Sequence, residues 1–372
     1  MSKAQTKTLS AWLGEHTGLS RTRSETLSWL VAQMVRIGSV SLWRLAAHMT
    51  SSAQTRSVHR RLERFFQYAR LDEGVVARMI VRMMRLQGMP WRLVLDRTNW
   101  KFGQSVQNVL VLGVLHEGIC IPLFWIMRHK TGNSNVPERI DLLCRLRACF
   151  PDQPISCLIG DREFVGEKWM SWLKDADIPF VLRIKENLHI WNKEHEPVKL
   201  CNRLSGLGIR EKVALKGNWY LGLIENAAGP GVQIVALRLK SGELLILATT
   251  VHPRRALDLY RQRWGIETLF SCMKKRGLNI EATHMTQPEK LSTLLAVTAL
   301  GFCAAFKTGL HIARCVRMPM KAHGCYERSV FTLGVNALRK TMAQLTWPQI
   351  SACFRDLFTP KKRPHPFIHA GL

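Results

Sequence analysis

The stretch Trp91-Arg92-Leu93-Val94-Leu95-Asp96 decides how the rest of the chain is read. It is a short apolar run, entered from Pro90 and closed by an acid. Two further apolar, β-branched runs follow, Val106 to Val114 and Ile119 to Met127, with His116-Glu117-Gly118 between them as a hairpin turn. From about Pro137 to Phe150 the period lengthens to that of a helix, with Ile140, Leu143, Leu146 and Cys149 inward. Ile155 to Ile159 is again apolar and ends in Gly160-Asp161. A helix from about Gly166 to Ala176 and a strand from Phe180 to Ile184 complete the series. A hairpin meander continued by β-α-β units predicts an α/β fold, a mixed five-stranded sheet covered by helices.

Asp96 and Asp161 therefore each close an apolar strand run, where an acid sits at the rim of a rigid sheet. Taken singly, such an Asp is as readily a turn cap. Together, on adjacent strands, two carboxylates are costly unless protonated or bridged by a cation. Their oxygens suit Mg²⁺ or Mn²⁺. A third carboxylate comes from a helix that begins near Pro253 and is capped near Gly277. Tyr260, Arg263, Glu267 and Lys274 fall within about 60° of one another at roughly 100° per residue. One face thus carries a phenol, a guanidinium, a carboxylate and an amine, which is no core. The bland reading is a solvated face laced with ion pairs; the two acids upstream weigh against it. Three carboxylates can hold two metal ions for phosphodiester cleavage, with Arg263 and Lys274 neutralising phosphates beside them.

The charge fits a polyanionic partner. Among 372 residues, 54 Lys and Arg stand against 27 Asp and Glu, a net charge of +27. Nucleic acid is the first candidate partner. Residues 1–85 hold 14 basic and 5 acidic residues, whereas residues 186–250 hold 8 and 6. The head, residues 1–88, reads as an all-α DNA-binding region. A helix near Leu42 to Met49, the polar break Thr50-Ser51-Ser52 and a helix from Thr55 to Tyr68 resemble a helix-turn-helix. The second of these helices carries Arg56, Arg60, Arg61 and Arg64 opposite Val58, Leu62 and Phe65. An ordinary bundle with a solvated basic face is the competing reading.

Residues 186–250 read as a β-rich insertion, with strands at Val213 to Leu223, Val232 to Lys240 and Glu243 to Thr250. Gly-rich turns at 228–231 and 241–242 join them. The chain is then helical to near a basic tail, Lys361-Lys362-Arg363-Pro364. The longest apolar stretch, Leu294 to Phe306, is short of the roughly 20 residues of a membrane span. No signal peptide is evident. The ten cysteines form no C-x-x-C pair and read as reduced, mostly buried thiols of a cytosolic protein.

The pattern Y-x2-R-x3-E-x6-K over 260–274, preceded by LVLDRTNW and LIGDREF, resembles the bacterial DDE transposases of the insertion-sequence-four family. The resemblance covers nearly the whole chain. It implies an RNase H-like core over 89–185 and 251–310, interrupted by the insertion, and a helical region over 311–372 that could serve dimerisation. It implies that Asp96, Asp161 and Glu267 hold two Mg²⁺ ions, with Mn²⁺ able to substitute. It also implies that Tyr260, Arg263 and Lys274 handle DNA near the cut, and that Trp264 stacks on an extruded base. Trp219 is the candidate for a second stacking tryptophan, without a motif around it. The implied activity is cut-and-paste transposition by a homodimer on double-stranded transposon ends and target DNA, which some members perform through a hairpin. The alternatives are an element-derived repressor that binds without cutting and an RNase H-fold nuclease without strand transfer. No membrane partner is implied.

Overall fold

At Pro90 the chain passes from helices to a sheet. The structure, a computed structural model, describes residues 8–49, 53–103, 105–128, 132–193, 196–221, 231–316 and 328–359. The break at Thr50-Ser51-Ser52, the turn residues 228–230, residues 222–223 and the tail from Lys361 lie outside them. The head holds α1 (Leu9–Thr17), α2 (Arg21–Ile37), α3 (Leu42–Ala47), α4 (Thr55–Tyr68) and α5 (Glu73–Met84). In α4, Val58, Leu62, Phe65 and Phe66 are buried at helical spacing.

Three antiparallel strands follow: β1 (Trp91–Phe102), β2 (Ser105–His116) and β3 (Ile119–Arg128). Glu117 and Gly118 both take positive φ, at 49° and 80°, as a two-residue hairpin turn requires. Helix α6 (Val136–Cys149) starts at a reciprocal cap between Asn135 and Glu138. Then come β4 (Ile155–Gly160), α7 (Glu167–Asp175) and β5 (Phe180–Ile184). Strand β4 pairs parallel with both β1 and β5. The spatial order β3-β2-β1-β4-β5 is the RNase H-like arrangement, a mixed sheet with flanking helices.

Three expectations need correction. Strand β1 does not end at Asp96 but runs on to Phe102. The apolar run stops at Leu95, yet residues 97–102 keep pairing with β2 down to Phe102↔Ser105, with Trp100 and Phe102 buried. Only the parallel partner leaves there, at Leu95↔Gly160.

The sheet also does not stop at five strands. After β6 (His189–Trp191), β7 (Pro197–Lys199), the short α8 (Leu200–Arg203), β8 (Lys212–Ala214) and β9 (Trp219–Tyr220) come β10 (Gly231–Arg238) and β11 (Leu244–Thr249). Strand β11 pairs antiparallel with β5, and β10 with β11. The last two strands of the 186–250 segment thus cover the backbone edge that β5 would otherwise leave open. The strand expected from Val213 to Leu223 divides into β8 and β9.

Third, the helix expected from Pro253 to Gly277 is two helices, α9 (Pro253–Arg261) and α10 (Trp264–Lys274). The turn between them is closed by three-residue bonds, Arg263 N to Tyr260 O at 2.9 Å and Ile266 N to Arg263 O at 3.0 Å. Such a tight turn eclipses residues three apart, which superposes Tyr260 and Arg263.

The chain ends in α11 (Pro288–Cys315), α12 (Val330–Gln344) and α13 (Trp347–Phe358). Helix α11 has the length and mean hydropathy, 1.5, of a membrane span, but 89% of its most apolar window is buried in the protein. It is a core helix. Helices α2, α4 and α5 pack against it, and α1 packs against α13. The described residues of the head therefore share one continuous core with the C-terminal helices and the sheet. Nine cysteines are free thiols among the described residues, and four of them are buried.

Close approach fixes the α11–α12 contact. A Cβ on Gly334 would lie 1.8 Å from Ala305 O, and one on Gly309 would lie 1.9 Å from Val330 O. In an unhindered helix Gly→Ala stabilises by roughly 0.5–1 kcal/mol. Here Gly334→Ala is expected to destabilise by at least about 1–3 kcal/mol, read as a lowered Tm in thermal unfolding.

Candidate active site

Asp96 and Asp161 reach one place because β1 and β4 are parallel and in register. Leu95 faces Gly160, so the next residue on β1 and the residue just past β4 are both Asp. Asp161 also caps a 3-10 turn at Arg162–Phe164. The two acids share a local geometry: each accepts from the following backbone N–H at 2.8 Å, Arg97 N to Asp96 Oδ1 and Arg162 N to Asp161 Oδ1.

The tight turn between α9 and α10 supplies the other side. Tyr260 Oη donates to Asp161 Oδ1 at 3.1 Å. Arg263 Nη1 donates to Asp96 Oδ2 at 2.7 Å and reaches Glu267 Oε1 at 3.3 Å. The Arg263 guanidinium lies 5.8 Å from the centre of the Tyr260 ring. Three of the four residues on the expected face, Tyr260, Arg263 and Glu267, thus converge on the two strand acids. The fourth, Lys274, binds elsewhere on β1, donating to Asn99 O at 2.6 Å with Glu281 at 4.0 Å.

Strand β1 grips this helix pair along its length. Arg92 Nη1 donates to Gln262 Oε1 at 2.5 Å, which holds the turn itself. Lys101 N donates to Glu281 Oε1 at 2.9 Å, which holds the segment after α10. Gly265 lets α10 lie close on the β2–β3 hairpin: a Cβ there would meet Leu115 Cδ2 at 2.9 Å and Cys120 N at 3.2 Å.

Burial dominates the electrostatics. Asp96 is only 8% exposed. Its pKa is pushed up to about 6 by that burial; Arg263 pulls it back down, while Glu267 and Asp161 add to the rise. The Tyr260 phenol is pushed up to about 12, mainly by burial and then by the Asp161 charge, so it stays a neutral donor. Burial opposes the Arg263 charge, but Tyr260, Asp96, Asp161 and Glu267 outweigh it and hold its pKa above the usual value.

These carboxylate oxygens are the hard donors that Mg²⁺ or Mn²⁺ takes, and their mutual repulsion calls for a cation. In the structure that cation is the Arg263 guanidinium, which bridges Asp96 and Glu267. Among the described residues, no group of three or more His, Cys, Asp or Glu side chains is close enough to hold one ion. The donor chemistry fits a divalent metal.

Trp264 is 68% exposed beside this site, whereas Trp219 is buried in β9, inaccessible to a base. In the head, Arg56 and Arg60 are exposed on α4, one turn apart. Arg61 instead turns toward α2 and donates to Thr26 Oγ1 at 3.2 Å.

The sequence reading passed over Arg97 and Glu163. Arg97 Nη2 meets Glu163 Oε2 at 2.9 Å, and its Nη1 donates to Gly132 O at 2.6 Å. The buried Arg139 donates to Glu163 O at 2.9 Å. This pair ties the residue after Asp96 to the second residue after Asp161. The repeated Asp-Arg, in DRTNW and DREF, was the available signal.

The profile of the family described as the transposase DDE domain matches residues 90–302, more than half of the chain. The chain belongs to this family. The match takes in β1 through the first half of α11, and with them Asp96, Asp161 and the 260–274 segment. The protein is accordingly a DNA-binding enzyme of the transposase class, whose chemistry depends on divalent metal. No curated protein sequence matches the chain. Among solved structures, the catalytic domain of human endonuclease V is 17% identical, covering 60% of this chain and 96% of that one, at a TM-score of 0.29. Another structure of human endonuclease V is 16% identical over 58% of this chain and 90% of that one, at 0.25. At such scores neither likeness bears on the site.

Glu163→Gln removes the charge that holds Arg97 while keeping the shape. Hydrogen bonds to charged groups contribute roughly 1.5–3 kcal/mol. The variant is expected to lower stability by up to about that much, read as a lowered Tm in thermal unfolding.

Proposed function

We propose that this DDE-family enzyme is a cut-and-paste DNA transposase of the insertion-sequence-four type, with Asp96, Asp161 and Glu267 holding two divalent ions. One observation carries the reading. Arg263 bonds both Asp96 and Glu267, and Tyr260, three residues before it, bonds Asp161, so one helical turn contacts all three acids. The bland alternative, a solvated helix face, leaves unexplained why the Arg263–Asp96 pair is mostly buried and crosses from the α9–α10 turn to β1.

The residues divide the work. Tyr260 orients the Asp161 carboxylate by donating to it. Arg263 shields the acids from one another and would be available to a DNA phosphate if the carboxylates held a metal instead. A bound divalent ion would supply Lewis acidity at the phosphodiester and an activated water or 3′-hydroxyl. Lys274, anchored on β1, meets the DNA backbone farther along. The exposed Trp264 stacks on a base extruded next to the cut. Arg56 and Arg60 on α4 contact the transposon end, with Arg61 supporting the helix from behind. A homodimer would pair two ends before strand transfer.

The test uses duplex DNA carrying the short inverted repeats that flank the gene. Mg²⁺ or Mn²⁺ should support cleavage at the repeat ends. Asp96→Asn, Asp161→Asn and Glu267→Gln should each lower cleavage by more than about a hundredfold, with DNA binding in a mobility-shift assay retained. Loss of binding together with cleavage in all three variants would make the acids structural. Pre-cut ends offered with a plasmid target should be joined; cleavage without joining would leave a nuclease.

A further inference from the structure

A cavity of about 650 Å³ opens between α4 and the segment 283–287. None of its lining residues belongs to the carboxylate site. Its size falls in the range of about 300–1,000 Å³ usual for ligand clefts. Trp43 and Tyr68 line it and are 55% and 61% exposed, among the most exposed large side chains described. Arg60, Arg64 and Lys290 line it too. His59 stands edge-on to Trp43 with ring centres 5.4 Å apart. The one acid among the described lining residues, Glu63, is turned to His59 at 3.6 Å.

This composition selects among DNA forms. An intact duplex offers phosphates to the three cations but keeps its base faces stacked inside, so the exposed rings would gain nothing from it. An unpaired nucleotide offers both a phosphate and a free π-face. We propose that the cleft binds one unpaired nucleotide of the DNA substrate, its base against Trp43 and Tyr68 and its phosphates on Arg60, Arg64 and Lys290.

The cleft is mechanically coupled to the sheet. Gln107 Nε2 on β2 donates to Thr286 O at 3.3 Å, within the cleft wall. That wall follows directly from Glu281, which β1 holds beside Lys274. A strand end placed here is positioned relative to the same β1 that carries Asp96. The inference rests on the DNA-binding reading of the chain and not on its metal chemistry.

The full-length protein, in EDTA, is titrated by fluorescence anisotropy with labelled oligothymidylate of about fifteen nucleotides and with a blunt duplex of equal length. Trp43→Ala and Tyr68→Ala should each weaken single-strand binding by at least about fivefold and leave duplex binding within about twofold. Trp43→Phe should keep the wild-type preference, and both rings are exposed enough for truncation to leave the fold intact. Photo-cross-linking with 5-iodouracil in the single strand should label Trp43 or Tyr68. Equal effects on both DNA forms, no effect on either, or labels with none on Trp43 or Tyr68 would overturn the proposal. So would an altered oligomeric state with single-strand binding unchanged, which would make the cleft a protein contact. Because no metal is present, the result is independent of whether the enzyme cleaves.

Discussion

A guanidinium held between two carboxylates is the constraint from which the arrangement of this protein follows. Asp96 is nearly buried, and a buried charge is costly unless paired. Arg263 is its counter-charge and also reaches Glu267. Removing one member would leave an uncompensated charge in a site already crowded by Asp161. The energetic demand therefore falls on whatever keeps α10 against β1. The structure meets it with contacts from Arg92 to Gln262, from Asn99 to Lys274 and from Lys101 to Glu281. Each uses a residue of β1, so a single strand carries one acid and sets the position of the helix that brings another.

Two features of the sheet make this possible. The parallel pairing of β1 with β4 aligns Asp96 with Asp161. The antiparallel addition of β11 and β10 continues the sheet past β5 and covers its edge. On the other side of the core, α11 is packed by helices from both ends of the chain. The basic head is thus locked to the catalytic sheet. A DNA segment bound across both would be held on one continuous core.

Much of this was legible in the sequence, for identifiable reasons. The meander and the β-α-β units follow from hydrophobic periodicity, which depends on local side-chain alternation alone. The Tyr260, Arg263, Glu267 face follows from helical spacing. The broken helix did not show, because Gln262 and Arg263 remain in helical conformation and only the hydrogen-bond partner changes. The continuation of β1 past Asp96 did not show either, since Arg97, Thr98 and Asn99 lack an apolar run and are held by pairing with β2. The burial of Trp219 and the turning of Arg61 toward Thr26 are likewise products of distant packing.

The stretch Trp91 to Asp96 by itself determined that a strand would deliver an acid to the rim of a sheet, and the spacing from Tyr260 to Glu267 determined that a helix would present another. Only the tertiary structure decided what these acids face. It put Arg263 between two of them, Tyr260 against the third, Asp161, and Glu163 behind Arg97. The physical reason is range. Periodicity and capping act over a few residues and are written locally, whereas a charge pair between positions 96 and 263 exists only once the sheet has brought them within hydrogen-bonding distance.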